Sequence, residues 1–546
     1  MQIKYLFKVA MVIALLPSCS VQQRADTIYY NGIVYTVNNN FDIVEAFAVH
    51  KGEIIATGTS KSILHDFNAT EKVDLQGKAV YPGFIDAHCH FFGYGSDLVK
   101  CDLYGTTSFD DVIHHVADYS KTNKFEWILG RGWDQNDWDV KEFPTKEKLD
   151  SLFPHTPVYL MRVDGHAVIC NQEALNRAKI TAATKVSGGE VIVKNGKLTG
   201  VLIDNAVDIV KSVIPAFTEK EYTDGLLKAQ ENCFAVGLTT VDDAGLGRDS
   251  IKLIDKLQKE GRLKMRVYAM LSDVQSDLDY YFDHGIVKKD RLTVRAVKMY
   301  ADGALGSRGA CLLKPYSDMP GHYGFLLHDV SHFRKVATDA LENGFQVCTH
   351  AIGDSAVRTI LDIYTDVLST ENQRRWRIEH CQVVDTNDLK KFKSHNIIAS
   401  VQPTHATSDM YWAEQRLGSQ RIRTAYAYKD LMNAADGKIA FGTDFPVENI
   451  NPLYTFYAAV ERKDLKGFPE DGFQKENKIK KKDALRAMTI WAAYSNFEEL
   501  EKGSIEERKV ADFVILDEDI MEIQKDRIPN VKVLATYVNG EKVYGK

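Results

Sequence analysis

Hydrophobic and polar positions first alternate with a period of two. From Asp26 to about Asp74, short alternating runs are separated by turn residues. Thr27 to Val37 turns at Asn31-Gly32, and Ala46 to Ala56 turns at Lys51-Gly52. The far end has the same texture, with Ala511 to Leu516 and Val531 to Gly540 as strands closed by turns. Neither end makes a domain alone. Together they predict one small antiparallel β-sandwich, built from residues 20–80 and 503–546, with the rest of the chain inserted between them.

Between the ends the pattern changes. From Gly83 to about Asn496, apolar strand-like runs alternate with segments of helical period. The strand candidates are Phe84 to His90, Val158 to Val163, Thr239 to Asp242, Arg266 to Met270, Val294 to Tyr300, Gln346 to His350, Arg377 to His380, Ile397 to Val401 and Ile439 to Gly442. Glu219 to Phe234, His332 to Asn343 and Ser355 to Leu368 read as helices. Repeated strand-then-helix order predicts an α/β fold over residues 81–502, a parallel sheet closed into a (β/α)8 barrel. An open doubly wound sheet is the alternative. The candidates slightly outnumber the strands of such a barrel, so not all belong to it. Residues 93–231 depart from the simple repeat. They hold an aromatic and acidic patch, Trp127 to Trp138, and a hairpin, Glu190 to Ile203, turning at Asn195-Gly196. An insertion after the first barrel strand lies on the catalytic side of such barrels, which gives it a lid or substrate-binding role; a surface elaboration is the plainer alternative.

The composition is that of a large globular chain: 546 residues, 45% hydrophobic and 26% charged. Net charge is −7 without a long basic run, which argues against a nucleic-acid partner. Residues 1–19 read differently from the rest. Lys4 and Lys8 precede a short apolar run, and Leu16-Pro17-Ser18-Cys19 resembles a bacterial lipobox. This predicts a signal peptide, lipidation of Cys19, and a chain anchored to a membrane of the bacterial cell envelope, periplasmic or outer. A cytoplasmic chain with an apolar first strand is the other reading. The remaining cysteines are irregularly spaced and odd in number, so buried free thiols are expected rather than a disulfide framework.

Candidate chemistry gathers at strand ends. In Tyr81 to His90, a strand would point Asp86, His88 and His90 one way and Cys89 the other. Two imidazoles so placed reach one metal ion. Lys298 sits in the apolar run Val294 to Tyr300; His350, His380 and Asp444 end later strands. Singly, each has an ordinary explanation: a hydrogen-bonded structural histidine, a lysine reaching to solvent, an aspartate capping a helix. Jointly they form a ligand set for a hard-to-borderline divalent ion.

Pro82 to His90, with Lys298, His350, His380 and Asp444, resembles the amidohydrolase superfamily. The phrases Lys298-Met-Tyr-Ala-Asp-Gly-Ala-Leu-Gly-Ser-Arg308, His350-Ala-Ile-Gly-Asp354 and Gly442-Thr-Asp-Phe-Pro446 are similar to its amidohydrolase-3 subgroup, which includes N-substituted formamide deformylase. Gly503-Ser-Ile-Glu and Ala511 to Asp517 are similar to that family's return into the sandwich. The resemblance implies that His88 and His90 bind one metal and His350 and His380 a second. It implies that Lys298, carboxylated by carbon dioxide, bridges them, and that Asp444 binds the first and moves protons. Two divalent ions, zinc foremost, would then activate water against the C–N bond of a small-molecule amide. Asp164, His166, Arg308 and Trp133 are candidates for holding that substrate. Arg308 could instead pair with Asp302, and Trp133 could be core. Glu379 could orient its neighbour His380, and His405 lies past a strand end as a further candidate. Two rival functions are a ring aminohydrolase using one metal, and a non-catalytic envelope binding protein. Gly353 stands where several such deaminases carry glutamate, and Lys298 supplies a bridge they do not need; both weigh against the first. The intact ligand set weighs against the second. Assembly into a homo-oligomer is left open.

Overall fold

A computed structural model describes residues 22–122, 126–369 and 373–545. Residues 1–19, expected to be a signal peptide ending at Cys19, lie outside the described residues. The centre is a ring of parallel strands: β1 (Phe84–Cys89), β2 (Leu238–Leu246), β3 (Arg266–Ser272), β4 (Leu292–Tyr300), β5 (Gln346–Ala351), β6 (Arg377–His380), β7 (Ile398–Val401) and β8 (Ala440–Phe441). Each pairs in parallel with the next. The last meets the first just beyond β8, where the Asp444 N–H donates to the His88 carbonyl and the His90 N–H to the Phe445 carbonyl, each at 2.8 Å. That approach requires glycine at 442, because a Cβ there would stand 2.5 Å from the His88 nitrogen. Strands buried on both faces read as near-continuous apolar runs, and all six residues of β1 are buried. Helices follow the strands and cover the ring. Glu219–Ala235 starts at a capping box formed by Thr218 and Glu221; Val330–Glu342 and Asp354–Leu368 show apolar stripes facing inward.

Of the strand candidates, Val158 to Val163 is the one outside the barrel. It contributes to a separate sheet within the insertion. In spatial order this sheet runs Gly189–Lys194, Lys197–Asp204, Ala167–Cys170, Val158–Arg162, Ile128–Trp133 and Cys101–Asp102. Its hairpin turns through Asn195 and Gly196 at φ of 53° and 74°, the left-handed pair that a two-residue turn needs. Apolar clusters cover both faces, with Trp133 and Trp138 on one and Trp127 on the other.

The chain ends form two facing sheets. Gln23–Tyr30, Ala46–His50, Glu53–Gly58 and Phe67–Asp74 make one; Ile33–Tyr35, Ile43–Val44, Ala79–Pro82, Phe513–Leu516, Val533–Val538 and Glu541–Tyr544 make the other. The sheets are mixed rather than purely antiparallel, because Gln23–Tyr30 pairs in parallel with Phe67–Asp74, and Ile33–Tyr35 with Ala79–Pro82. The reason lies at Asn31-Gly32. It is not a hairpin turn but a corner that carries the chain from one sheet to the other. Between the sheets Tyr29 stacks on Phe47 at 4.8 Å and Phe513 on Tyr537 at 4.3 Å. The seven described cysteines are all free thiols.

Candidate active site

The carboxyl ends of the barrel strands converge on one buried cluster. His88 lies in β1 and His90 just beyond it, Lys298 in β4, His350 in β5, His380 at the end of β6, and Asp444 past β8. The His88 ring centroid is 4.7 Å from that of His380, which is 4.5 Å from that of His350. Lys298 Nζ is 3.1 Å from His88 Nε2, and Asp444 Oδ1 is 3.2 Å from His90 Nε2. His380 and Asp444 adopt φ of 72° and 62°, in the left-handed region that aspartate and histidine enter more readily than most residues.

Three of the imidazoles are held in the same way. His88 Nδ1 meets Glu379 Oε2 at 2.6 Å, His90 Nδ1 the Ala244 carbonyl at 3.0 Å, and His380 Nδ1 Gln402 Oε1 at 2.8 Å. An acceptor at Nδ1 fixes the ring proton there and leaves the Nε2 lone pair for a metal. Glu379, buried against Arg377, completes this second layer at 2.7 Å. Burial would raise its pKa, but the charges of Arg377 and His88 hold it at about 2. Burial, reinforced by Lys298, lowers His88 to about 4. Burial and neighbouring positive charge take His350 and His380 well below the usual histidine range. Lys298, fully buried, falls to about 8. Asp444 lies well below the usual carboxylate range; burial opposes this, but the closeness of His90 and the charges of His88 and His380 prevail.

These residues fit a metal. Ligand atoms of His88, His380 and Asp444 lie within 4.8 Å of one another. Asp444 Oδ1 and His350 Nε2 are buried and make no hydrogen bond among the described residues, an arrangement that is costly unless another partner satisfies them.

A cavity of about 660 Å³ opens from the cluster. Asp164 and His166 line it, with Tyr94, Arg131, Arg162 and Trp412. His166 Nδ1 is 2.6 Å from Asp204 Oδ1, and its ring lies 5.2 Å from that of His350. Burial disfavours its charge, but the Asp204 carboxylate wins and raises its pKa. Two sequence candidates lie elsewhere. Trp133 is fully buried in the insertion's core, its Nε1–H donating to the Leu160 carbonyl at 2.8 Å. Arg308 pairs with Asp318 at 2.8 Å and lines no part of the cavity. Nor does it pair with Asp302, whose carboxylate instead accepts the backbone N–H groups of Cys311, Ile352 and Gly353. Asp204, Gln382 and Gln402 had no signal in the sequence, because each matters only through a neighbour brought from another strand or loop.

His405 also lines the cavity, and its Nδ1 meets a donor rather than an acceptor. The Gln382 amide nitrogen donates to His405 Nδ1 at 3.0 Å, which places the ring proton on Nε2. That Nε2 is buried without a hydrogen-bond partner, 3.6 Å from Asp444 Oδ2.

The barrel with these side chains at its carboxyl end defines a metal-dependent hydrolase. A family model described as the amidohydrolase family matches residues 71–544. The chain belongs to that family and is a hydrolytic enzyme acting on carbon–nitrogen bonds. It is 33% identical over 544 residues to Protein LONG AFTER FAR-RED 3 of Arabidopsis thaliana, covering 95% of this chain and 92% of that one. It is 25% identical over 545 residues to an N-substituted formamide deformylase of Arthrobacter pascens, covering 95% and 98%. Among solved structures, an uncharacterized metal-dependent hydrolase from Pyrococcus horikoshii OT3 matches with a TM-score of 0.75 at 29% identity, covering 91% of this chain and 99% of that one.

Proposed function

We propose that the enzyme hydrolyses the C–N bond of a small amide, N-formyl and N-acyl amines foremost, at a centre of two divalent ions. The observation that carries this is Lys298. A buried lysine among histidines and an aspartate is unfavourable as an ammonium beside cations. As a carbamate, formed when the neutral amine adds to carbon dioxide and releases a proton, it would carry a negative charge able to hold divalent ions. His88, His90 and Asp444 would hold one ion, His350 and His380 the second, with Lys298 between them. Bound ions of this kind supply Lewis acidity, lowering the pKa of water and polarising a carbonyl.

The chain's own groups do the rest. Asp444 accepts the proton of the attacking water and passes it to the leaving nitrogen. His405, its Nε2–H fixed by Gln382, donates to the substrate carbonyl oxygen as negative charge develops there. Glu379, Ala244 and Gln402 keep the ligand rings in one tautomer. The name of the Arthrobacter pascens relative supports the amide class. The lipobox-like Leu16 to Cys19 supports export and membrane anchoring through acyl groups on Cys19.

The test couples metal analysis to a screen of N-formyl amines, N-acyl amino acids, cyclic amides and ring amines. Close to two divalent ions per chain and turnover of an acyclic amide are expected. Lys298→Ala loses metal and activity together; Asp444→Asn keeps most metal and loses most turnover. Full activity in Lys298→Ala removes the bridging carbamate. Ammonia release from ring amines alone replaces the amide reading with deamination.

A further inference from the structure

We infer that the protein carries a separate divalent-cation site at the rim of the barrel, made by Asp273, His328 and His332. Asp273 directly follows β3, at the carboxyl end of the ring. His328 lies one residue before Asp329, the N-cap of the helix Val330–Glu342, and His332 lies in that helix's first turn. One ligand atom from each of the three residues lies within 4.8 Å of the others. His332 Nε2 is 2.8 Å from Asp273 Oδ2, and the two imidazole centroids are 4.3 Å apart with planes inclined by 31°. His328 is exposed, so its ring nitrogens are reachable from solvent.

Charge points the same way. Two imidazoles this close repel one another when protonated. Burial, and then the neighbouring His332, lower the pKa of His328 and favour the neutral form that coordinates metals. Asp273 and Asp329 both act on His328 as negative charges. Asp329 occupies the N-cap of the helix but makes no side-chain capping bond, unlike most aspartates at that position. Two imidazoles and the Asp273 carboxylate, with ligand atoms gathered around one point, complement a single divalent cation. The mixed nitrogen and oxygen donors select zinc or a similar first-row ion over magnesium or calcium, which take oxygen ligands.

Such an ion would do mechanical work. The Leu327 N–H donates to the Ala301 carbonyl at 2.9 Å, so the segment that bears His328 hugs the chain just beyond β4. An ion shared with Asp273 would tie the end of β3 to that segment, beside the strand that carries Lys298 and the cavity-lining Tyr300. The site uses none of the barrel cluster and stands whichever bond the enzyme cleaves.

The test starts from holoenzyme whose barrel centre is already filled. Zinc is titrated by equilibrium dialysis into the wild type and into the double variant His328→Ala/His332→Ala. The wild type is expected to take up one more ion per chain than the double variant, and Asp273→Asn to weaken that uptake at least tenfold. Added zinc should raise the melting temperature of the wild type and leave that of the double variant unchanged. Equal stoichiometry in wild type and double variant overturns the inference and leaves a hydrogen-bonded surface cluster. Full-affinity uptake in Asp273→Asn likewise rules out the three-residue site.

Discussion

At the scale of residues, a single ring proton separates two roles that histidines share. His88, His90 and His380 each have an acceptor at Nδ1 and so present a bare Nε2. His405 has a donor at Nδ1 and so presents Nε2–H. The rings proposed to hold metal and the ring proposed to donate a hydrogen bond therefore stand in one cavity with opposite polarity. His405→Asn should keep its full metal content while kcat falls about 10²–10³-fold, the usual cost of one such donor, with KM little changed. Metal loss in that variant would make His405 a ligand, and an unchanged kcat would remove it from the reaction. The six residues that converge were legible in the sequence because strand periodicity and strand ends constrain where they point. Of the substrate candidates, Trp133 takes its core alternative, and Arg308 takes a scaffold pairing, with Asp318 rather than Asp302. Trp133 lies on a strand of the insertion, whose facing could not be read before its partners were known. The segment holding Arg308 turns through a left-handed residue at φ 65° and ends on Asp318.

At the scale of elements, the long buried strands announced themselves and the short ones did not. The insertion sheet includes Cys101–Asp102, only two residues, and pairs its strands out of simple hairpin order. Only its hairpin and one strand showed in the pattern, so its role as a second packed layer came from the fold. One ionic link joins elements no pattern connects. Glu498 is buried and accepts from Lys288 at 2.8 Å and Thr293 at 2.7 Å, tying the start of β4 to the chain beyond the barrel; Lys502 lies 2.5 Å away. Burial would raise its pKa, but Lys502 and Lys288 hold it at about 2, below the ordinary glutamate value of 4.5. The folded state therefore binds this proton less tightly than the unfolded chain. The stabilisation is fully present above about pH 4.5 and is lost as pH falls through 2. The shift corresponds to about 3 kcal/mol, a ceiling because Lys502 is buried as well. Glu498→Gln should lower urea-unfolding stability at pH 7 by up to about that amount, with the gap to wild type more than halved at pH 3. A gap of equal size at both pH values would show that shape, not charge, explains the loss.

At the scale of the whole molecule, the six-stranded sheet of the sandwich serves two cores at once. Val514, Leu516 and Val538 pack into the barrel cluster, while their neighbours Phe513, Ile515 and Tyr537 pack into the sandwich. That is the period of two read from the C-terminal sequence, with both faces used. Polar contacts reinforce the junction. From β3, Arg266 Nε donates to Asp512 Oδ2 at 2.6 Å, and its guanidinium also reaches Asn539. Thr536 donates to the Phe234 carbonyl at 2.7 Å. The sandwich is therefore a buttress that shares the barrel's core, and the two should melt together. Arg266→Met would strand the Asp512 carboxylate without its cation, at a cost of roughly 3–5 kcal/mol. Calorimetry should show one transition in the wild type and one, at lower temperature, in the variant, since the shared apolar face survives the change. A separate low-temperature transition in Arg266→Met would mean that this one ion pair, rather than the two-sided sheet, couples the chain ends to the barrel.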